Sequence, residues 1–311
     1  MGIVVAGAAG RVGSAAARRL LESGADVTAI VRDQGKTASL AAAGARVVQG
    51  SLEDEEFVTK ATRGADALFW MTPLKRDSDD VWGCQRRQGR IGAAAIRANR
   101  IAHVVNLSSA GAQSAARTGL LAGLHDVEEE LNAAAENITH LRPGMFYETH
   151  LPELAAAQAT GRFFAPISPH TAMPHVGAQD VGEVAADELL HRERHGRRVR
   201  GVHGPADLSY EVIAYVFSVL LGKKIEFARI PREAAIDALM KAGYSHNAAA
   251  AVVETYAARE DGRLVVAELR MADTTTLTTF AEFLRTHMEG SGAVIAPPPA
   301  GPTQRPKRRA A

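Results

Sequence analysis

The chain has 311 residues, 46% of them hydrophobic and 23% charged, with a formal net charge of +1. That composition is globular, and its charge balance argues against nucleic acid or an anionic membrane as the main partner. A single cysteine, Cys84, excludes an intrachain disulfide and a cysteine-based metal site.

Six short apolar runs punctuate the first half: Ile3–Ala6, Val27–Val31, Arg46–Val48, Ala67–Met71, Val104–Leu107 and Ile138–Leu141. Ile3–Gly10 has no basic flank and leads into a helix, so it reads as a buried strand and not a signal peptide. Helical patterns fall near 11–23, 36–43, 53–63, 79–99 and 121–136. Continuous apolar strands alternating with helices predict a parallel sheet covered on both faces, a Rossmann-type doubly wound α/β fold. After residue 144 the rhythm breaks into helical stretches at 151–160, 179–193, 209–221, 231–242 and 246–259. These predict a smaller, mostly helical C-terminal lobe over the carboxyl ends of the sheet. The expected division is a nucleotide-binding domain over 1–144, to whose sheet later strands can return, a substrate lobe over 145–288, and a disordered tail over 289–311. No apolar run approaches the roughly 18 residues that span a bilayer, and a cytoplasmic protein, monomer or homodimer, is expected.

The first strand runs into Gly7-Ala8-Ala9-Gly10-Arg11-Val12-Gly13. Each glycine has its own reason: freedom at the turn for Gly7, close approach to a pyrophosphate for Gly10, and close helix–strand packing for Gly13. The helix that follows presents unpaired amides and a positive dipole end to an anion. The second strand ends on Arg32, where an acid would bind the ribose 2′-hydroxyl of NAD and an arginine suits the 2′-phosphate of NADP. Lys36 can add a second positive charge. Asp33, beside Arg32, keeps the NAD alternative open, as does a solvated Arg-Asp pair.

The strings Val5–Gly13, Val27–Asp33, Gly44–Asp54, Gly64–Pro73, Val104–Ser109, Thr139–Glu148, Val202–Glu211 and Thr279–Phe283 together resemble the NmrA-like family. These are atypical members of the short-chain dehydrogenase/reductase superfamily, and the resemblance covers about residues 2–287. It implies an NADP-preferring site (NADPH over NADH) built from Gly7, Ala9, Gly10, Arg11, Val12, Arg32 and Lys36. It also implies Ser51 and Leu52 near the adenine, Met71, Thr72 and Pro73 near the ribose and nicotinamide, and Leu107 and Ser108 beyond them. Ser51 departs from the family, which often has an aspartate there.

The superfamily's Tyr-x-x-x-Lys pair is absent: no tyrosine precedes Tyr147 and no lysine lies between Lys75 and Lys223. Ordinary ketone reduction needs such a proton donor. A quinone-like or conjugated aromatic acceptor delocalises the incoming charge and needs it less, so the expected activity is NADPH-dependent hydride transfer to such an apolar small molecule. A non-catalytic NADP(H)-binding redox sensor is the alternative. His125 and Tyr147 are the candidate proton donors. Glu128 matches the family's helix glutamate, although Glu128-Glu129-Glu130 also reads as a solvated face. Ser109, His125, Phe146, Tyr147, His150, His170 and Met173 are the candidate substrate contacts. His175, Phe163 and Phe164 come from the same region, with the two phenylalanines leaning toward a core role. No histidine pair has metal-ligand spacing, so no metal is expected. Cys84 reads as a packed small residue.

Overall fold

The structure is a computed structural model, and it describes residues 2–114 and 118–291. The strands are β1 (Gly2–Ala6), β2 (Asp26–Val31), β3 (Arg46–Gln49), β4 (Ala67–Met71), β5 (His103–Leu107), β6 (Ile138–Pro143), β7 (Met145–Phe146), β8 (Arg162–Ala165), β9 (Met173–Val176), β10 (Arg197–Val202), β11 (Asp207–Leu208) and β12 (Glu226–Arg229). The helices are α1 (Arg11–Glu22), α2 (Ala38–Ala42), α3 (Glu55–Ala61), α4 (Val81–Asn99), α5 (Leu121–Asn132), α6 (Leu151–Thr160), α7 (Ala178–Leu190), α8 (Tyr210–Leu221), α9 (Arg232–Lys241), α10 (His246–Glu260) and α11 (Phe280–Ser291).

Seven parallel strands form the main sheet in the order β10-β6-β5-β4-β1-β2-β3. Its central strands β1 and β4 are apolar without interruption because each serves two cores. Ile3, Val5, Ala29, Val31 and Phe69 face α1 and α7, which bring Val12, Ala16, Leu20, Val181, Ala185 and Leu189. Val4, Ala6, Ile30, Leu68 and Trp70 face the other layer, where α3, α4 and α5 contribute Val58, Ile91, Ile96, Val127 and Leu131. The strand order reverses between β1 and β4. In an open α/β sheet that reversal opens a crevice at the carboxyl ends of the strands.

The first core draws on both sides of position 144, since Val176, Ala178, Val181 and Val202 all belong to it. β10 is the seventh strand, at one edge of the sheet, and carries Arg198 and Arg200 two residues apart. With Arg194, they converge on Glu188 of α7, whose side chain is fully buried, at 2.6, 3.0 and 2.8 Å. Burial would raise this carboxyl, and the three guanidinium groups instead hold it below the usual range.

A third core gathers Tyr147, Leu154, Phe163, Met173, Tyr210, Phe217, Phe280 and Leu284 around α8 and α11. Two small sheets, β11-β9-β7 and β12-β8, accompany these helices. Side-chain caps fix where helices begin: Asp54 accepts from Phe57 N, Asp80 from Gly83 N, Ser209 from Val212 N and Ser245 from Ala248 N. The expected tail is corrected at its start, because residues 289–291 continue α11. Residues 292–311 lie outside the described residues. No helix among the described residues is long and apolar enough to cross a membrane.

Candidate functional site

A cleft of about 680 Å³ opens where the strand order reverses. Gly7, Ala9 and Gly10 form one wall, and Ile30–Asp33 and Gly50–Glu53 bring the ends of β2 and β3. Met71, Pro73–Asp77 and Gln88 of α4 close the other side.

The turn between β1 and α1 is built from close approaches. Gly7 has φ +67°, a left-handed conformation, and a Cβ there would run into the Met71 thioether. A Cβ on Gly13 would stand 2.5 Å from the Gly7 carbonyl oxygen and 2.9 Å from its carbon. Only glycine lets α1 start so near the strand. Gly10 N donates to Gly7 O at 2.9 Å, and Gly10 caps α1 with no side-chain hydrogen bond and no acid in the first turn. The first amides of α1 therefore have no intrahelical acceptor and sit at the positive end of its dipole. That geometry suits an anion.

At the tip of β2, Arg32 is exposed in the cleft, and among the described residues no carboxylate pairs with it. Asp33 is committed elsewhere: its Oδ1 accepts from Gly35 N at 3.0 Å and caps the 3₁₀ turn Gln34–Lys36. Lys36 closes that turn with its backbone, and its side chain lies outside the described residues. Ser51 Oγ accepts from Glu53 N at 3.1 Å, while Glu53 reaches Lys75 Nζ at 3.5 Å and links the β3 and β4 loops.

The second lobe grips the β4–α4 loop. Ser245 N donates to Arg76 O at 2.8 Å, Ser245 Oγ to Ser78 O at 2.5 Å, and Val81 N to Asn247 Oδ1 at 3.0 Å. The Arg76 guanidinium stands 5.2 Å over the Tyr244 ring. One wall of the cleft is thus held by the turn between α9 and α10.

Beyond Met71, Thr72 Oγ1 is buried with no partner among the described residues. Met71 pairs in register with Leu107 of β5. Ser108, next along, is buried and donates to Glu128 Oε1 at 2.5 Å. Arg142 holds the same carboxylate through Nε at 3.0 Å and Nη2 at 2.6 Å, and donates to Glu268 through Nη1 at 2.7 Å. Burial pushes the Glu128 carboxyl up, but the hydrogen bond from Arg142, the charge of His140 and the Ser108 hydroxyl outweigh it and leave the group below its usual range. Glu128 is therefore no part of a solvated face, although Glu129 is exposed.

The structure brings Gly7, Ala9, Gly10, Arg32, Ser51, Leu52, Met71 and Pro73 into one cleft. Arg11 is exposed at the start of α1, and Val12 packs into the core beneath it. Several other expected site residues are not brought to the cleft lining. Tyr147 is 1% exposed, donates to Thr278 O at 3.1 Å and is flanked by the Phe280 and Phe283 rings. Burial pushes its hydroxyl far above the usual tyrosine range. His150 is buried between Glu153 Oε2 at 2.6 Å and His175 Nε2 at 3.0 Å, and His175 donates from Nδ1 to Met173 O at 2.8 Å. Met173 is itself a core residue, and Phe146 is half-buried against the first core. His170 is exposed and bonded to Glu211. His125, half-buried on α5, donates from Nδ1 to Ala112 O at 3.0 Å, and Ser109 is half-buried in the loop after β5. Phe163 is 1% exposed but Phe164 is 48% exposed, because neighbours on a strand face opposite ways. Cys84 Sγ lies 3.1 Å from Ser78 Oγ.

Sequence reasoning passed over Leu74–Asp77 and Gln88 as lining. The signal was available, since the loop after the strand at the reversal point must border the crevice.

The chain is 27% identical over 293 residues to the NAD(P)H azoreductase of Xenophilus azovorans, covering 94% of this chain and 99% of that protein. Among solved structures it is similar to the NADPH-dependent quinone oxidoreductase of Escherichia coli complexed with NADPH, with a TM-score of 0.77 at 21% identity over 93% of this chain and 100% of that one. Triphenylmethane reductase of Citrobacter sp. also has a TM-score of 0.77, at 20% identity and the same coverage. Those two likenesses establish the fold. The NmrA-like family model matches residues 1–284, and the chain belongs to that family.

Proposed function

We propose that this protein is an NADPH-dependent oxidoreductase that transfers hydride to a quinone-like or conjugated aromatic acceptor without a Tyr-Lys pair. The observation that carries the reading is the cleft itself: an uncapped helix start at one point and, at another, Arg32 with no carboxylate partner among the described residues. The residues present fit NADP. The amides of Arg11 and Val12, with the close backbone at Gly10, would hold the pyrophosphate, and Arg32 with Lys36 the 2′-phosphate. Ser51 and Leu52 would border the adenine. Thr72 Oγ1, buried without a partner, is available to the ribose or carboxamide, with Met71, Pro73, Leu107 and Ser108 beside it. When bound, the nicotinamide supplies the hydride and the protein supplies orientation and dryness.

The chain's own groups support a conjugated acceptor. The Ser108 proton is given to Glu128 and the Tyr147 proton to Thr278 O, so neither is free for a developing alkoxide. His125 donates from Nδ1 to a carbonyl, which leaves Nε2 a base in the neutral ring and a donor only when charged. An acceptor that spreads charge over a ring system needs no strong acid nearby. The likeness to an azoreductase, a quinone oxidoreductase and a triphenylmethane reductase supports this class.

NADPH oxidation measured with quinones, azo dyes and simple ketones tests the reading. Turnover is expected with the first two classes and not with the third, and His125→Ala shows whether the imidazole takes part. The same committed hydroxyl groups favour a second reading, a non-catalytic NADP(H)-binding regulator. Tight cofactor binding without turnover on any acceptor would select it.

A further inference from the structure

Arg259, near the end of α10, lies across the seam between the lobes. Its Nη2 donates to Ala110 O at 3.3 Å, in the loop that leaves β5 just after Ser108. Its Nε is buried and has no acceptor among the described residues. No carboxylate among them pairs with it, and the adjacent Glu260 turns away to Arg229 at 2.9 Å. Tyr256 and His175 are the ionisable groups its charge acts on.

Arg142, buried, and Arg200, half-buried, are treated differently. Arg142 sits between Glu128 and Glu268, and Arg200 meets Glu188. A guanidinium carries five N–H donors. Arg259 is half-buried, and a single, long carbonyl contact leaves its buried Nε without an acceptor and its charge without a counter-charge among the described residues, which is unfavourable unless another group completes the site. Burial accordingly pushes the Arg259 guanidinium below its ordinary range.

We infer that Arg259 receives an anionic substituent of the acceptor, so that the substrate is a conjugated ring system bearing a carboxylate, sulfonate or phosphate group. The planar fork of the guanidinium matches such oxyanions in paired hydrogen bonds. This inference rests on the reductase reading for the identity of the acceptor. The phosphates of the dinucleotide do not account for Arg259, because they are assigned to the start of α1 and to Arg32. Arg259 reaches the β5 loop from the second lobe and is not among the residues lining the cleft.

The test compares a naphthoquinone with its sulfonate, and an azo dye with its carboxylated counterpart, on the wild type, Arg259→Met and Arg259→Lys. Wild type should prefer the anionic member of each pair in kcat/KM. Arg259→Met should reduce that preference about 10- to 100-fold, with Arg259→Lys between. Inhibition of the wild type by benzoate, benzenesulfonate and phenyl phosphate against neutral benzamide needs no variant, and ranks the oxyanions. Equal losses on both members of a pair, a loss carried by NADPH affinity, or equal inhibition by benzoate and benzamide would overturn the inference. If no acceptor turns over, the reductase reading fails, and calorimetric binding of the sulfonate to wild type and Arg259→Met still decides the role of Arg259.

Discussion

Ser108 Oγ donates to Glu128 Oε1 at 2.5 Å, so the hydroxyl at the end of β5 serves a buried ion pair. The pair is closed by two hydrogen bonds from Arg142, whose side chain is 10% exposed against 4% for Glu128. Breaking one partner of such a pair strands the other charge. Glu128→Leu should lower stability by about 3–5 kcal/mol, measured by urea unfolding. Glu128→Leu with Arg142→Leu should cost less than the two single changes added together, since each alone already breaks the same pair, while Glu268 loses its partner only with Arg142. A double variant that loses the sum of both single effects would contradict this account.

Tyr147→Phe separates packing from chemistry. The hydroxyl makes one hydrogen bond, to Thr278 O, and the ring is enclosed by Phe280, Phe283 and His175. The variant should lose about 1 kcal/mol of stability and keep the wild-type kcat. A large fall in kcat with intact folding would return Tyr147 to the mechanism.

Acid should destabilise the protein well above the carboxylate range. Burial, with the charge of His150 adding to it, lowers His175 from 6.5 to about 3. Burial also lowers His103, His140 and His203. The unfolded chain takes up these protons near its ordinary histidine value while the folded chain refuses them. Stability is therefore full above the unfolded value and falls as pH drops toward the folded one, by about 1.4 kcal/mol per pH unit for each such histidine. At lower pH, protonation of Glu128 and Glu188, both held below the usual range, removes more. Urea midpoints across that window check the slope, which His175→Asn should make shallower. Stability that rises on acidification would contradict the assignment.

What was legible in the sequence follows from how local each constraint is. β1 could be read because Ile3 and Val5 serve one core while Val4 and Ala6 serve the other, leaving an unbroken apolar run. The glycine-rich turn between β1 and α1 could be read because Gly13 meets Gly7 within it. β10 could not, since Arg198 and Arg200 resemble a solvated run until Glu188 of α7 is placed beside them. Tyr147 and His150 follow the end of β6 closely, and that nearness suggested a site. Their rings are instead claimed by Phe280, far along the chain. Arg259 carried no signal at all, because its significance is a missing acid, which only the folded chain reveals.

The cleft at the ends of β1 and β2 is the centre of the proposed function. Calorimetric titration of NADPH and NADH into the wild type and Arg32→Ala tests it most directly. The account predicts that the wild type binds NADPH at least about tenfold tighter than NADH, and that Arg32→Ala loses this preference by weakening NADPH. Equal affinity of the wild type for the two dinucleotides, or a preference that survives in Arg32→Ala, would contradict it.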